Sequence, residues 1–492
     1  MASPALTTGY RNLTTPVSLL RTLASTRITT PLFRSNENHH NKHSPRFISS
    51  SRRLTCLSLL QTDSHHQTAL SSSSNPGYPE YNQTTLSSSS NPGYPEYNRL
   101  MPCPAHNFPP RIEHMVVLED VLVADFISKQ LDLPPLYVAD LIQFGAVHYA
   151  LVCPKPPPTA TPEQVKLFEE VTSPSVLKKR PSIKGKTVRE AQKTFRVTHG
   201  DQCVEAGTYL RVHVHPKRSP RCYEIDWKSR VVAVADSYVV LDKPAGTTVG
   251  GTMDNIEETC ATFASRALDL PESLKTTHQI DNCTEGCVVF AKTKEYCSVF
   301  HTKIKNKEVK KLYRALAAAP LPSGIISHYM RPINRAPRLV SEDLIKGWHL
   351  CQLEILECKK IPWPDAATEK KHDIEDCGWP SKEFAYECTI NLLTGKTHQI
   401  RAQLAACGSP VVGDSMYMPA AIAEMVNPGI NPYGKAKKHQ EMEENDKETA
   451  VAEWFDIHGK EPKVGIGLQA CQISWEDDDG EHFYEAGTPW WR

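Results

Sequence analysis

Apolar and polar residues alternate along most of the second half of the chain. VVAVADSYVVLDKP at residues 231–244, GCVVFAKT at 286–293 and LYRALAAAP at 312–320 each predict strands bounded by turns, as do WHLCQLEILECKKI at 348–361, FAYECTINLLTG at 384–395 and VGIGLQACQISWED at 464–477. Few helical patterns separate them. Residues 227–492 therefore read as one α+β domain on a mixed, largely antiparallel sheet. Two stretches break the pattern and are expected to be surface insertions: a Trp-, Pro- and charge-rich one from Pro362 to Lys382, and an acidic one from Ala421 to Pro462. Upstream, VVLEDVLVADFISKQL from Val116 and then PPLYVADLIQFGAVHY carry apolar residues at helical spacing, with Pro134 and Pro135 placed to open the second helix. A Pro- and Lys-rich stretch from Pro154 to about Lys193 interrupts. FRVTHGDQCVEAGTYLRVHVHP, residues 195–216, then predicts strand, turn at Gly207, strand. The first hundred residues carry no such period. LSSSSNPGYPEYN at 70–82 recurs at 86–98, and a polar 13-residue duplication has no apolar face to stack, so residues 61–114 are expected to be a low-complexity linker.

Composition changes this picture in three places. The 492 residues are 40% hydrophobic and 23% charged, ordinary for a globular protein, and no stretch approaches the ~18 apolar residues of a membrane span, so no membrane association is expected. The net charge of +0 hides an asymmetry. Residues 1–60 hold Arg11, Arg21, Arg27, Arg34, Lys42, Arg46, Arg52 and Arg53 against the single acid Glu37. With its Met-Ala-Ser start and many Ser and Thr, that segment reads as an organellar transit peptide. Plastid is favoured, and the mitochondrion is the alternative. The N-terminal region is thus expected to be disordered. The 15 Cys include no C-x-x-C pair, against a disulfide framework or a zinc ribbon, and no P-loop or H-E-x-x-H appears. No metal is expected.

Two segments carry candidate chemistry. In residues 277–318, THQIDNCTEGCVVFAKTKEYCSVFHTKIKNKEVKKLYRALAA, Asp281 sits in a polar turn at the mouth of a strand, where functional residues concentrate. A basic amphipathic helix carrying Lys303, Lys305, Lys307, Lys310 and Lys311 is expected after that strand. In residues 392–417, LLTGKTHQIRAQLAACGSPVVGDSMY, a strand and a Thr-Gly turn lead to a helix whose first turns hold His398, Gln399 and Arg401. Asp281 and Arg401 could meet as a charge-assisted pair.

With these blocks in view, the sequence resembles the RluA-like family of RNA pseudouridine synthases. LDKPAG at 241–246, HQIDNCTEGCVVFAK at 278–292, KKLYRAL at 310–316 and TGKTHQIRAQLAACGSPVVGD at 394–414 match in order, and IGLQACQISW with GTPWW resembles the closing strand and tail. The resemblance covers roughly residues 230–492. It implies that Asp281 is the catalytic carboxylate, Tyr313 the tyrosine beside the target base and Arg401 the partner of the aspartate. It also implies contacts from His278, Gln279 and Lys243 to substrate, and from the lysine group to RNA backbone. No cofactor is implied, because converting uridine to its C-glycoside needs no redox step. The sequence departs from the family at Gln279, where most members have Arg, at Glu285, where many have Ser, and at Lys396, where Arg is more usual. Losing a basic residue beside the target and gaining an acid would weaken phosphate or base contacts there.

Residues 115–220, in helix-helix-strand-strand order, resemble a small S4-type RNA-binding module with an insertion. The stretch from Tyr137 to Tyr149 lacks the Lys and Arg that the family presents there, so a small α+β packing domain is the competing reading. The functional expectation is an organellar enzyme, a monomer acting on ribosomal, transfer or messenger RNA. The alternatives are a non-catalytic RNA-binding or RNA-folding factor on the same scaffold, and a lyase or glycosidase that only cleaves.

Overall fold

Val123, Ile127, Val138 and Leu141, spaced by three and four residues, form the buried stripe of two short helices packed on a small sheet. The computed structural model describes residues 54–55, 111–155, 162–178, 180–333, 336–434 and 444–492, all within the unit Ser50–Arg492. Apart from Leu54–Thr55, the expected transit peptide lies outside the described residues, as does most of the linker.

The small sheet contains β1 (Ile112–Val116), β2 (Val147–Ala150) and β3 (Tyr209–His213), with α1 (Val123–Leu131) and α2 (Pro135–Gln143) between the first two strands. β3 lies between β1 and β2, antiparallel to both. The helical pattern from Val116 was too long a reading. The first helix starts at Val123, and Val116 instead ends strand β1, which pairs with β3 on one side and with Leu54–Thr55 on the other. The Pro- and Lys-rich stretch is a run of short helices, three of them opened by a proline, Pro162–Val171, Pro174–Leu177 and Pro181–Ile183, and a fourth, Val188–Ala191, capped by Thr187. Arg180 ties it down, donating Nε to Glu205 at 2.8 Å and Nη1 to the Gly207 carbonyl at 3.1 Å.

The large sheet is α+β, mixed and mainly antiparallel. Its elements in chain order are β4 (Val231–Val234), β5 (Tyr238–Lys243), α3 (Cys260–Ala267), β6 (Glu285–Ala291), α4 (Lys294–Lys305), β7 (Lys310–Ala317), β8 (Gly324–Met330), β9 (His349–Pro362), β10 (Phe384–Leu392), α5 (Gln399–Ala406), α6 (Met418–Val426), α7 (Glu444–Ile457), β11 (Leu468–Asp477) and β12 (Gly480–Glu485). In space the strands run β8-β9-β10-β7-β11-β6-β5-β4, and β12 pairs with β11. Among the described residues, β6 with β11 is the one parallel pairing of this sheet, and Gly286 faces Ala470 there. The core under the later cleft holds Cys283, Tyr313, Ile390, Ile400, Leu404 and Ile466.

Three other sequence expectations change. The helix expected to carry five lysines ends at Lys305. Lys307 adopts the left-handed conformation, φ 64, and Lys310 and Lys311 open strand β7. The 362–382 stretch is not a plain surface insertion: its Trp363, Ile374 and Trp379 pack with Trp490 and Trp491, since large aromatic surface is better buried than solvated. The acidic stretch likewise contributes the core residues Val451 and Trp454 through α7.

Candidate active site

The turn that carries Asp281 is fastened from below. Lys243, fully buried at the end of β5, donates its ammonium to the carbonyls of Pro244, Thr247 and Asn282 at 2.9 to 3.0 Å. Gly246 N–H also donates to Asn282 at 2.8 Å. The LDKPAG block is thus the anchor of the HQIDNC turn. Lys243 is thus turned away from any substrate, since its three hydrogens are spent on backbone.

The second half of the site is the turn before α5. Gln399, buried, accepts from Thr394 Oγ1 at 2.9 Å and Lys396 N–H at 3.1 Å, and donates to the Gln352 carbonyl at 3.1 Å. This clamps the TGKTH turn, so that His398 (φ 57) opens the helix and Arg401 enters the core one turn later. Arg401 is fully buried. Nε and Nη2 donate to Asp414 at 2.8 and 2.9 Å, and Nη1 and Nη2 to Glu461 at 2.9 and 3.3 Å. Nη1 lies 3.5 Å from Asp281 Oδ2. Burial opposes the guanidinium charge, but Asp414 and Glu461 more than offset it, and the group is held well above its ordinary pKa.

Around this ion cluster the other groups stay neutral. Burial pushes the His398 pKa down although Asp281 and Glu461 lie 3.9 and 3.8 Å from its Nε2. Its Nδ1 meets the Tyr417 hydroxyl at 3.1 Å, and that oxygen already accepts the Arg338 N–H at 2.7 Å. The hydroxyl proton is then free for Nδ1, an arrangement that turns an Nε2–H toward the two acids. Burial also raises the Cys283 thiol well above its usual range, and its sulfur donates to Glu461 at 3.4 Å. Burial, and then the nearby Asp281 carboxylate, raises the Tyr313 phenol.

The surrounding cleft has a volume of about 1310 Å³. Asp281, Tyr313, Arg401, His278 and Gln279 all line it, so the structure brings the two sequence blocks to one place. Lys305, Lys307, Lys310 and Lys311 line it as well, with Lys217 and Lys396. Burial lowers Lys311 to about 8 and His278 well below its ordinary value. Lys303 does not line the cleft. Its ammonium donates to the Glu476 carbonyl at 2.8 Å. Glu285, expected beside the target, also lies elsewhere: it lines a small pocket with Arg221, Arg230 and Trp490 and not the cleft. Burial, with Asp242 nearby, raises it to about 7. Sequence reasoning missed Asp414 and Glu461. The first lay inside a quoted block, as the aspartate of VVGD. The second lay in the stretch read as an acidic surface insertion and had no signal. Among the described residues no group of His, Cys, Asp and Glu is arranged to hold a metal ion, and no helix is long and apolar enough to cross a membrane.

Residues 237–406 match the family model described as RNA pseudouridylate synthase. The chain is 85% identical, over 100% of both chains, to the Arabidopsis thaliana protein named RNA pseudouridine synthase 6, chloroplastic. It is 67% identical to an Oryza sativa subsp. japonica protein of the same name, over 80% of this chain and 82% of that one. Ribosomal large subunit pseudouridine synthase D of Xanthomonas campestris pv. campestris is 27% identical over 44% of this chain and 58% of its own.

Proposed function

The chain belongs to the RNA pseudouridine synthase family and is an isomerase acting on uridine in RNA, and we propose that Asp281 is the carboxylate that drives the reaction. The observation that carries this reading is the meeting of Asp281 with Arg401, 3.5 Å apart, at the wall of a cleft roomy enough for an extruded nucleotide. In the reaction the C1′–N1 bond breaks, the detached uracil turns, and a C1′–C5 bond forms while the C5 proton is lost and N1 gains one. Atoms and charge balance without a cofactor. Asp281 serves the ribose as nucleophile or electrostatic partner, and Arg401 supplies the matching charge. Tyr313, part of the cleft wall and of the core beneath, offers the flipped base a surface in place of its lost stacking. His278 and Gln279 flank that base. Lys243 acts indirectly, by holding the Asp281 turn.

Lys305, Lys307, Lys310 and Lys311 face the RNA backbone in this reading, and their place in the lining of the cleft supports it. Phosphates at Lys311 would keep its ammonium charged. The helix-helix-strand order of residues 115–220 supports an S4-like RNA-binding module that presents RNA to residues 227–492. The chloroplastic designation of the two plant relatives supports the reading of residues 1–60 as a plastid transit peptide. A monomer suffices, since the acid, its arginine and the cleft lysines all come from one chain.

The test is pseudouridine mapping of organellar RNA from cells with and without the protein, complemented by wild type or by Asp281→Asn. Particular positions should vanish without the protein and return only with wild type. An unchanged map from a protein that still co-purifies with RNA would instead establish a binding factor on this scaffold.

A further inference from the structure

A guanidinium has five N–H donors and two edges that can each grip a carboxylate with two bonds. In this protein Asp414 takes the Nε/Nη2 edge of Arg401, and both side chains are fully buried. The Nη1/Nη2 edge is the one that reaches the cleft, and two acids compete for it. Glu461 holds it at 2.9 and 3.3 Å, leaving Asp281 a single Nη1 contact at 3.5 Å.

We propose that Glu461 is a positioning residue for the isomerisation: by occupying the cleft-facing edge of Arg401, it keeps Asp281 beside the positive charge without locking it there. This rests on the assignment of Asp281 above. Were Asp281 itself to take that edge, it would be fixed by two charge-assisted bonds, and both would have to break before the carboxylate could approach the sugar. With Glu461 in place the attraction remains while the directional hold is minimal. Glu461 is itself steadied, by the Cys283 thiol at 3.4 Å and the His398 ring at 3.8 Å. Two other roles fit less well. Neutralising Arg401 does not require a second acid, because Asp414 already matches its charge. Direct contact with RNA phosphate is opposed by the carboxylate's own sign.

The experiment uses full-length protein and a transcript spanning a uridine that wild type modifies. Single-turnover rates are measured against enzyme concentration for wild type, Glu461→Gln, Glu461→Asp and Asp281→Asn, with thermal melting of each. The expected result is a rate at saturation lowered ten- to a hundredfold in Glu461→Gln, a half-saturating concentration within twofold of wild type, and partial recovery in Glu461→Asp. An unchanged saturating rate would overturn the proposal. So would a change confined to half-saturation, which marks an RNA contact, or a rate loss that tracks a fall in melting temperature and is not recovered by Glu461→Asp. Asp281→Asn keeps the two ideas apart. If it still forms pseudouridine, the assignment of the site fails; if it does not while Glu461→Gln behaves as wild type, only the role of Glu461 fails.

Discussion

Lys243 shows how a residue can serve a site without facing it. Its ammonium is fully buried among three carbonyl oxygens, one of them on the residue after Asp281. Lys243→Met keeps the length and apolar stem but leaves those acceptors buried and unmatched, at about 1–3 kcal/mol for each that finds no new partner. We expect a loss of about 3 kcal/mol in urea unfolding, together with a lower rate of pseudouridine formation at saturating RNA. A stability equal to wild type would show that the turn holds itself. At this scale the sequence was half legible. Asp281, Tyr313 and Arg401 could be picked out because they sit in blocks whose spacing is dictated by turns and strand pairing. The direction of Lys243, and the side of the sheet on which Glu285 falls, depend on strand register across segments far apart in the chain. Glu461 had no local pattern at all, since its position is set by how α6 and α7 pack and not by its neighbours in sequence.

Elements were read more securely than single residues. The alternating runs gave the strands of the large sheet because their inward positions must be apolar whatever their neighbours are. Errors fell where a period was extended past its cause, as at residues 116–122 ahead of α1, or where a punctuating residue was read only as a break, as with the prolines that open the short helices after Pro154. One glycine sits at an element contact that admits nothing larger. Gly286, in β6, has φ +113, and a Cβ there would lie 2.2 Å from the carbonyl oxygen of Ala470 and 2.7 Å from its carbon. Both are backbone atoms of the parallel partner strand, so neither can step aside without opening the pairing. Gly286→Ala should therefore cost about 3 kcal/mol or more, visible in chemical denaturation followed by circular dichroism. A cost below ~1 kcal/mol would mean that β6 and β11 can separate locally without consequence.

At the level of the whole molecule, the small sheet carries a cluster of bases against the loop that holds Asp254, where Arg196 Nη2 donates to the Thr252 carbonyl at 2.8 Å. His148 is lowered to about 4 by burial and by Arg211, and His213 is lowered by the same two causes; Arg196 also bears on His148, and Asp254 opposes in both cases. These imidazoles are neutral in the folded protein at pH 7. Below the ordinary histidine value of 6.5 the unfolded chain takes up protons that the folded one refuses, so stability falls with pH between 6.5 and about 4 and is unaffected by His148 above that window. The loss from His148 alone is about 2 kcal/mol at pH 5. Melting temperatures measured from pH 8 down to pH 5 should be level at first and then decline. His148→Gln, which cannot be protonated, should flatten the decline, and an unchanged slope in that variant would remove His148 as its cause.

The position of β11 has a further consequence, for the order in which the molecule can be completed. It lies between β6 and β7, which are close in sequence and could otherwise be neighbours, yet it begins more than 150 residues after β7. Until Leu468–Asp477 arrives, each of those strands presents an unpaired edge, and the aspartate turn and the arginine helix have no common wall. A chain delivered from its N-terminus, whether from a ribosome or through an envelope, therefore holds two open half-sheets from the arrival of Leu392 until that of Leu468. Such a species attracts chaperones and other strands alike, and it can do no chemistry on RNA before the last piece closes the gap.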